Sequence, residues 1–448
     1  MERYPVPRIL RELSGPFVEN GHSLYLVGGA VRDFLLGKEN DDFDFTTDAR
    51  PEEVIALFPG RTIPTGIKHG TVTVRFRGQS YEITTFRTEG DYSDGRHPDS
   101  VSFVRSLESD LERRDFTINA LACSLETGRI LDFHGGIEDL ERHMIRAIGV
   151  PEKRFQEDAL RMMRACRFSS KLDFEVEEST LEAIRRNAGN IVHVSAERIR
   201  EELFKILSSD HPAKGLLLLQ ESGLMKYILP ELEEGIGMRQ KGMHRYDVFG
   251  HIIAAVQASA DLKAPLAVRL AALLHDIGKP RSMRLKGGEP TFYSHEIISE
   301  RLARDILSRL KCSNEEIETC ALLVREHMFN YSDEWSDSAV RRFLLRVGRE
   351  NIPLLFALRR ADQLAIDGSV NEAALKRLSE RIQLEIDRGS ALTIRDLKIN
   401  GRDLMELGMR PGPEMGARLS ELLELVIENP ELNEREKLLS ISRQEGTP

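Results

Sequence analysis

The 448-residue sequence predicts an α+β head of about 140 residues followed by a long all-α region. Two observations carry this reading. Up to about residue 140, short runs that alternate apolar and polar residues are mixed with helical segments. Beyond about residue 150 the strand pattern almost vanishes, and "EDALRMMRACRF", "SAERIREELFKIL", "HEIISERLARDILSRL" and "ALLVREHM" carry apolar residues at helical spacing. A chain this long exceeds one hydrophobic core, so several domains are expected. The composition breaks near "SSDHPAKG" (208–215) and "IDRGSALT" (386–393) divide it into a head (1–140), a helical neck (141–212), a body (213–385) and a helical tail (386–448).

Within the head, "LYLVGG" reads as a strand that stops at Gly28 and Gly29, and "AVRDFLLG" as a short helix closed by Gly37. In "NDDFDFTTD" (40–48) the period of two sends Asp42 and Asp44 to one face of a strand and Phe43 and Phe45 into a core. Two adjacent carboxylates repel, so something positive is expected between them. "GTVTVRFRGQSYEITTFR" alternates around Gly78 as a hairpin does.

Composition is that of an ordinary globular protein, 41% apolar, 30% charged and 6% aromatic. Residues 1–20 lack the apolar run of a signal peptide, and no segment has the ~18 apolar residues of a membrane span. Cys123, Cys166, Cys312 and Cys320 have no metal or redox spacing, which fits free thiols in a reducing cytoplasm. The net charge of −10 argues against a general nucleic-acid coat and leaves room for a local basic groove. Residues 153–171 hold six basic and two acidic residues.

A strand, a Gly28-Gly29 pair and a helix start let backbone amides approach phosphate, and Arg32 is placed to add a bidentate contact. The plain structural alternative is a tight turn with a surface arginine. Asp42 and Asp44 then supply ligands for two Mg²⁺ ions, with Glu82 a third carboxylate if its strand lies alongside. A lone D-x-D is equally a solvated strand edge. G-G-x-x-R-D and D-F-D on successive elements together favour the metal-dependent phosphate site.

In "EDALRMMR", Asp158 and Arg161 stand three apart, which on one helix sets them about 60° apart. A carboxylate only accepts and a guanidinium only donates. Cytosine and adenine both present an amino donor beside a ring-nitrogen acceptor, whereas guanine and uracil present the reverse. One Asp–Arg pair therefore satisfies C and A and mismatches G and U. Arg164 and Arg167 continue the spacing, but Arg167 is rotated about 180° from Asp158, and both suit the triphosphate or helix packing better than the same base edge. The alternative is a solvated helix face with i,i+3 ion pairs.

"LVGGAVRDFLLG…DDFDFTTDA", "GIKHGTVTV", "RRDFTINALA", "LDFHGGIEDL" and "RFQEDALRMMRACRF" resemble, in order, the motifs of bacterial class II tRNA nucleotidyltransferases, the CCA-adding enzymes. The likeness spans about the first 210 residues, and the tail "DLKINGRDLMELGMRPGPEMGARLSELLELVIENPELN" shares it. It implies a polymerase-β-like nucleotidyltransferase head and helical parts that grip tRNA. It also implies Mg²⁺-dependent transfer of CMP and AMP from CTP and ATP to a tRNA 3′ end, with no nucleic-acid template and no DNA partner. An arginine of "RRDFTINALA", Arg113 or Arg114 with Arg114 favoured, is implied for the incoming nucleotide. The segment "RTEGDYSDGRHPDSVSF" matches a loop that lets the pocket change from C to A. Asp41 departs from the family, where a lysine commonly precedes the first metal aspartate.

In the body, His251, His275, Asp276, His295, His327 and Asp362 fall on successive helical segments and suit one or two divalent metals. An isolated buried His-Asp pair is more often a hydrogen-bonded pair. The pattern H…HD…D resembles the HD phosphohydrolase superfamily over roughly residues 244–365; His251, His275, Asp276 and Asp362 match its core ligands, and His295 and His327 resemble the extra ligands of two-metal members. The metal's identity is left open, as is oligomeric state. Alternatives are a poly(A) polymerase, an enzyme adding only A or only CC, an HD hydrolase with a nucleotide-binding head, an HD fold that is only a scaffold, and a non-catalytic RNA-binding protein.

Overall fold

The structure, a computed structural model, describes residues 3–40, 42–90, 101–240, 245–389 and 393–444. The chain forms two compact units, residues 1–233 with 309–311, and residues 234–308 with 312–448.

The first unit opens with helix α1 (Arg8–Glu19), which buries Leu10, Leu13 and Phe17 along one face. Strand β1 (Leu24–Val27) leads into helix α2 (Gly29–Leu35). Strand β2 (Asp44–Thr47) and helix α3 (Pro51–Leu57) follow. Next come β3 (Thr62–Gly66), β4 (Thr71–Phe76) and β5 (Gln79–Thr85). After helix α4 (Leu107–Glu112), β6 (Leu121–Ser124) and β7 (Ile130–Asp132) complete one seven-stranded sheet in the order β3-β4-β5-β2-β1-β6-β7. Only β2 and β5 pair in parallel; the other neighbours are antiparallel.

The expected hairpin is β4–β5. Its turn residues Arg77 and Gly78 both have positive φ, the twist that a two-residue connection requires. In β5, Tyr81, Ile83 and Thr85 are buried while Ser80 and Glu82 face outward. One expectation is corrected: β2 begins at Asp44, so Asp42 lies in an extended lead-in and Phe43 is only half-buried, whereas Phe45 is fully buried. Asp41 and residues 91–100 of the pocket-changing segment lie outside the described residues; the flanking Arg87–Glu89 and Val101–Phe103 pair as short antiparallel strands.

Beyond the sheet, helices α5 (Pro151–Glu157), α6 (Leu160–Leu172) and α7 (Ala196–Leu207) carry the neck residues. "EDALRMMR" is therefore not one helix. Asp158 ends α5 with φ −144°, and its Oδ1 accepts the backbone N–H of Leu160 at 3.0 Å. A short polar side chain that satisfies a free amide at the next helix start competes with helix continuation.

Among its described residues the second unit is helical apart from a short hairpin, Arg284–Lys286 with Glu289–Thr291. Its central helices are α8 (Val248–Asp261), α9 (Leu266–Leu274), α10 (His295–Arg309), α11 (Asn314–Glu326) and α12 (Ile352–Asp367). Asp247 caps α8, and Ser313 with Glu316 forms a capping box on α11. The tail has its own apolar cluster, including Leu404, Leu422, Val426 and Leu438.

Candidate active site and candidate metal centre

In the first unit, a cavity of about 750 Å³ collects side chains from the sheet and from α6 and α7; nine arginines and lysines and four aspartates line it. Such an excess of positive charge suits a triphosphate.

Asp42 and Asp44 both line this cavity. Glu82 is the in-register partner of Asp44 across the parallel β2–β5 pair, so the third carboxylate stands beside the second, as expected. Burial and then Asp42 push the Asp44 carboxyl above its ordinary value, with Arg114 opposing and Glu82 adding to the rise. Three oxygen-donor carboxylates in mutual repulsion fit a hard divalent cation.

Gly28 sits at φ +71°, and a Cβ there would come within 3.3 Å of Arg114 Nη1. Gly28 and Gly29 border the cavity, so the tight turn brings backbone to it. Arg114 also lies near Asp110, at 3.8 Å, and its buried Nε has no hydrogen-bond partner. Arg113 is held by Asp110 at 2.9 Å. Arg32 is not a surface arginine: it is 3% exposed, donates from Nε to Asp33 and from Nη1 to Asn119, and sets Nη2 2.7 Å from Asp33. Its guanidinium is thus held by partners inside the head, and it borders the same cavity as Gly28 and Gly29.

Asp158 and Arg161 line the same cavity but do not sit on one helix face. Asp158 Oδ2 pairs with Arg198 of α7 at 2.8 Å. Arg161 donates to Glu157 at 2.6 Å, to the Arg154 carbonyl at 3.3 Å and to the Arg113 carbonyl at 3.0 Å. Three of its five donors are thus used, and a carboxylate has several lone pairs, so both retain capacity for a ligand. Arg164 pairs with Asp115, whose carboxyl burial alone would raise; Arg164 and Asn119 more than offset this and hold it at about 2. Arg167 pairs with Glu202 at 2.8 Å and lies over the Phe168 ring at 4.3 Å. Because Asp158 is off the helix, the 180° rotation does not separate the two, and Arg167 also lines the cavity.

Asp115, Asn119, Lys171 and Arg198 were missed as site residues. Asn119 left one signal, a polar residue inside the apolar run "FTINALA". Arg198 left none, since a partner 40 positions away has no local pattern.

In the second unit the six expected residues converge, all nearly fully buried. His251 and His275 bring their Nε2 atoms to 3.2 Å, and His295 and His327 to 3.3 Å. Asp276 stands between the pairs, Oδ2 at 3.3 Å from both His251 and His275, Oδ1 at 3.1 Å from His295 and 3.6 Å from His327. Asp362 Oδ1 lies 3.1 Å from His251 and 3.6 Å from His275. Helix ends set these positions. His275, His295 and His327 each place Nδ1 within 2.7–2.8 Å of the carbonyl three residues earlier. A carbonyl only accepts, so Nδ1 carries the proton and Nε2 presents its lone pair. The Nε2 atoms of His295 and His327 therefore face each other at a distance that two nitrogen ligands of one cation would have. The spacing is that of two imidazoles on one metal, ~3.0–3.4 Å for metal–nitrogen bonds near 2.1 Å. Both Asp276 oxygens are buried among these imidazoles, and Lys279 Nζ approaches Oδ2 at 2.5 Å. These residues fit one or two divalent ions. Asp276, His295, His327 and Asp362 border a cavity of about 420 Å³ that also presents Lys279, Arg359, Phe292 and Tyr293, four residues the sequence reading did not single out.

Comparison with known proteins follows this geometry. Residues 24–146 match the poly A polymerase head domain, 173–236 the RNA- and SrmB-binding-site model of polymerase A, and 292–441 the model of tRNA nucleotidyltransferase domain 2. A CCA-adding enzyme of Lactobacillus helveticus is 38% identical over 414 residues, covering 91% of this chain and 89% of the relative. One from Enterococcus faecalis is 36% identical over 438 residues, 98% and 95% of the two chains. Among solved structures, the Bacillus stearothermophilus CCA-adding enzyme in complex with CTP has a TM-score of 0.75 at 32% identity, covering 99% of this chain and 98% of that one.

Proposed function

The chain belongs to the CCA-adding enzymes, tRNA nucleotidyltransferases that add C and A to the tRNA 3′ end without a nucleic-acid template, and from that premise we propose how its residues divide the work. CTP, ATP and tRNA are its partners, and the reaction depends on a divalent metal. We assign that metal as Mg²⁺, held by Asp42 and Asp44 with Glu82 alongside. When bound, it supplies positive charge at the attacking 3′-hydroxyl and at the leaving pyrophosphate. Arg114 faces the phosphates across the turn at Gly28. Asp158 accepts from the exocyclic amino group of C or A, and Arg161 donates to the neighbouring ring nitrogen. Arg198 and the Leu160 amide orient Asp158, and Asp115 orients Arg164 towards the nucleotide. Arg113 and Arg167 hold the surrounding frame.

One observation carries this reading: Asp42, Asp44, Asp158 and Arg161 line a single cavity, so nucleotide choice and phosphoryl chemistry share one chamber. The test is incubation with tRNA lacking CCA and labelled CTP or ATP; wild type extends it, and variants at Asp44 do not.

We further propose that His251, His275, Asp276, His295, His327 and Asp362 hold a divalent metal and hydrolyse a phosphoester, with 2′,3′-cyclic phosphates as candidate substrates. The facing Nε2 atoms and the bridging carboxylate support this second reading. Metal bound there would supply Lewis acidity. The domain division is head 1–140, neck 141–212, body 213–385 and tail 386–448. A cytoplasmic location fits a tRNA substrate and four free cysteines, and no described helix is long and apolar enough to cross a membrane.

A further inference from the structure

A continuous chain of side-chain hydrogen bonds borders the nucleotide cavity, and it ends at two different functional elements. Arg164 Nε donates to Asp115 Oδ2 at 2.7 Å. Asp115 Oδ1 accepts from Asn119 Nδ2 at 3.1 Å. Asn119 Oδ1 accepts from Arg32 Nη1 at 2.7 Å, and Arg32 Nε donates to Asp33 Oδ1 at 2.8 Å. Asp33 Oδ2 accepts from Asn40 Nδ2 at 2.7 Å. Finally, Asn40 Oδ1 accepts the backbone N–H of Asp42 at 2.8 Å. The four central members, Arg32, Asp33, Asp115 and Asn119, are 3–8% exposed.

Chemistry fixes the direction of every link. Arginine only donates and carboxylate only accepts, so the remaining two positions need side chains that do both. Asparagine stands at each. At 119, aspartate would set a carboxylate against Asp115, and alanine would leave buried Arg32 and Asp115 each short of a partner. The buried central links, each with its direction fixed, leave few alternative arrangements between Asp33 and Asp115.

We propose that Asn40, Asp33, Arg32 and Asn119 are positioning residues that couple Arg164 to the metal-carboxylate segment at Asp42. This rests on the assignment of Asp42 to metal and of Arg164 to the nucleotide. A nucleotide that seats against Arg164 fixes the chain and with it the backbone at Asp42; one that seats poorly leaves that segment looser and its metal more weakly held. Coupling between sites is reciprocal, so the metal sharpens nucleotide choice as much as the nucleotide tightens the metal.

The experiment measures Mn²⁺ binding by equilibrium dialysis on the full chain, with CTP or UTP and without tRNA, so that no turnover occurs. Both nucleotides chelate metal through the same triphosphate, and the CTP–UTP difference isolates the protein's contribution. Wild type is expected to bind Mn²⁺ about tenfold tighter with CTP, the scale of outer-shell partners of metal ligands. Asn40→Ala and Asn119→Ala each remove that difference, and the double variant is no worse than either alone. Asn40 is the more exposed of the two and keeps the test open if Asn119→Ala fails to fold. If Arg164→Ala removes the difference while Asn40→Ala leaves it intact, or if the two asparagine effects add, the coupling is wrong and the assignment of Arg164 stands. If Arg164→Ala leaves the difference intact, the assignment of Arg164 falls and the coupling falls with it.

Discussion

Asp44 and Glu82 are register partners across the one parallel strand pair of the sheet, so their carboxylates leave it on the same face. That pairing turns residues 38 positions apart in sequence into neighbours. Burial first and then Asp42 push the Asp44 carboxyl above its ordinary value, Arg114 opposes them, and Glu82 adds a smaller rise. A divalent cation relieves all three.

Glu82→Gln keeps the shape of the third carboxylate and removes its charge. It is expected to lower kcat/KM for both C and A addition by about 10–100-fold and to raise the Mg²⁺ concentration needed for half-maximal rate. A variant that matches wild type across a Mg²⁺ titration would remove Glu82 from the metal set.

Asp158→Ala removes the acceptor for the exocyclic amino group. The ratio of kcat/KM for CTP over UTP should fall by about 5–150-fold, the equivalent of ~1–3 kcal/mol for one lost buried partner. Arg198→Ala should give a smaller loss in the same direction, because it frees Asp158 Oδ2 from its 2.8 Å partner without deleting the acceptor. Unchanged rejection of UTP in both variants would contradict the Asp–Arg selection.

Much of this was legible in the sequence because it is local. The β4–β5 hairpin follows from alternation around Gly78, and the helical body follows from apolar spacing. The six candidate residues of the body centre were legible as residue types on successive helices, and helix packing brought them together. The break at Asp158 was not legible, since helical spacing on both sides hides a side chain that caps the next helix. Asp115, Arg198 and the engagement of Arg32 were not legible either. Their partners are set by tertiary contacts across 49, 40 and 87 positions, which no local period encodes.

Asp115 carries a pH signature. Its folded carboxyl sits at about 2 against an ordinary 3.8, so its contribution is fully present above the unfolded value and is lost as pH falls towards the folded one. The amount is about 2 kcal/mol. Between roughly pH 4 and pH 2, wild type should therefore lose urea stability more steeply than Asp115→Asn, which has no such proton to take up. Parallel curves would contradict the ion pair with Arg164.

His275→Ala or Asp276→Ala should abolish metal bound at the body centre, read by elemental analysis, together with any metal-dependent hydrolysis of 2′,3′-cyclic phosphates. Nucleotide addition should stay within about twofold of wild type, since its ligands belong to the other compact unit. Loss of both activities in a folded variant would contradict two independent sites. Wild type with neither metal nor hydrolysis would reduce the centre to a scaffold.

The central claim is that one chamber, with Asp44 at its metal end, performs every addition. The most direct measurement is single-turnover extension of tRNA lacking its CCA, with CTP and ATP, by wild type and by folded Asp44→Asn. Wild type should append C, C and A in order, while Asp44→Asn should lose both C and A addition together by several orders of magnitude. Near-normal addition of either nucleotide by Asp44→Asn would contradict the account.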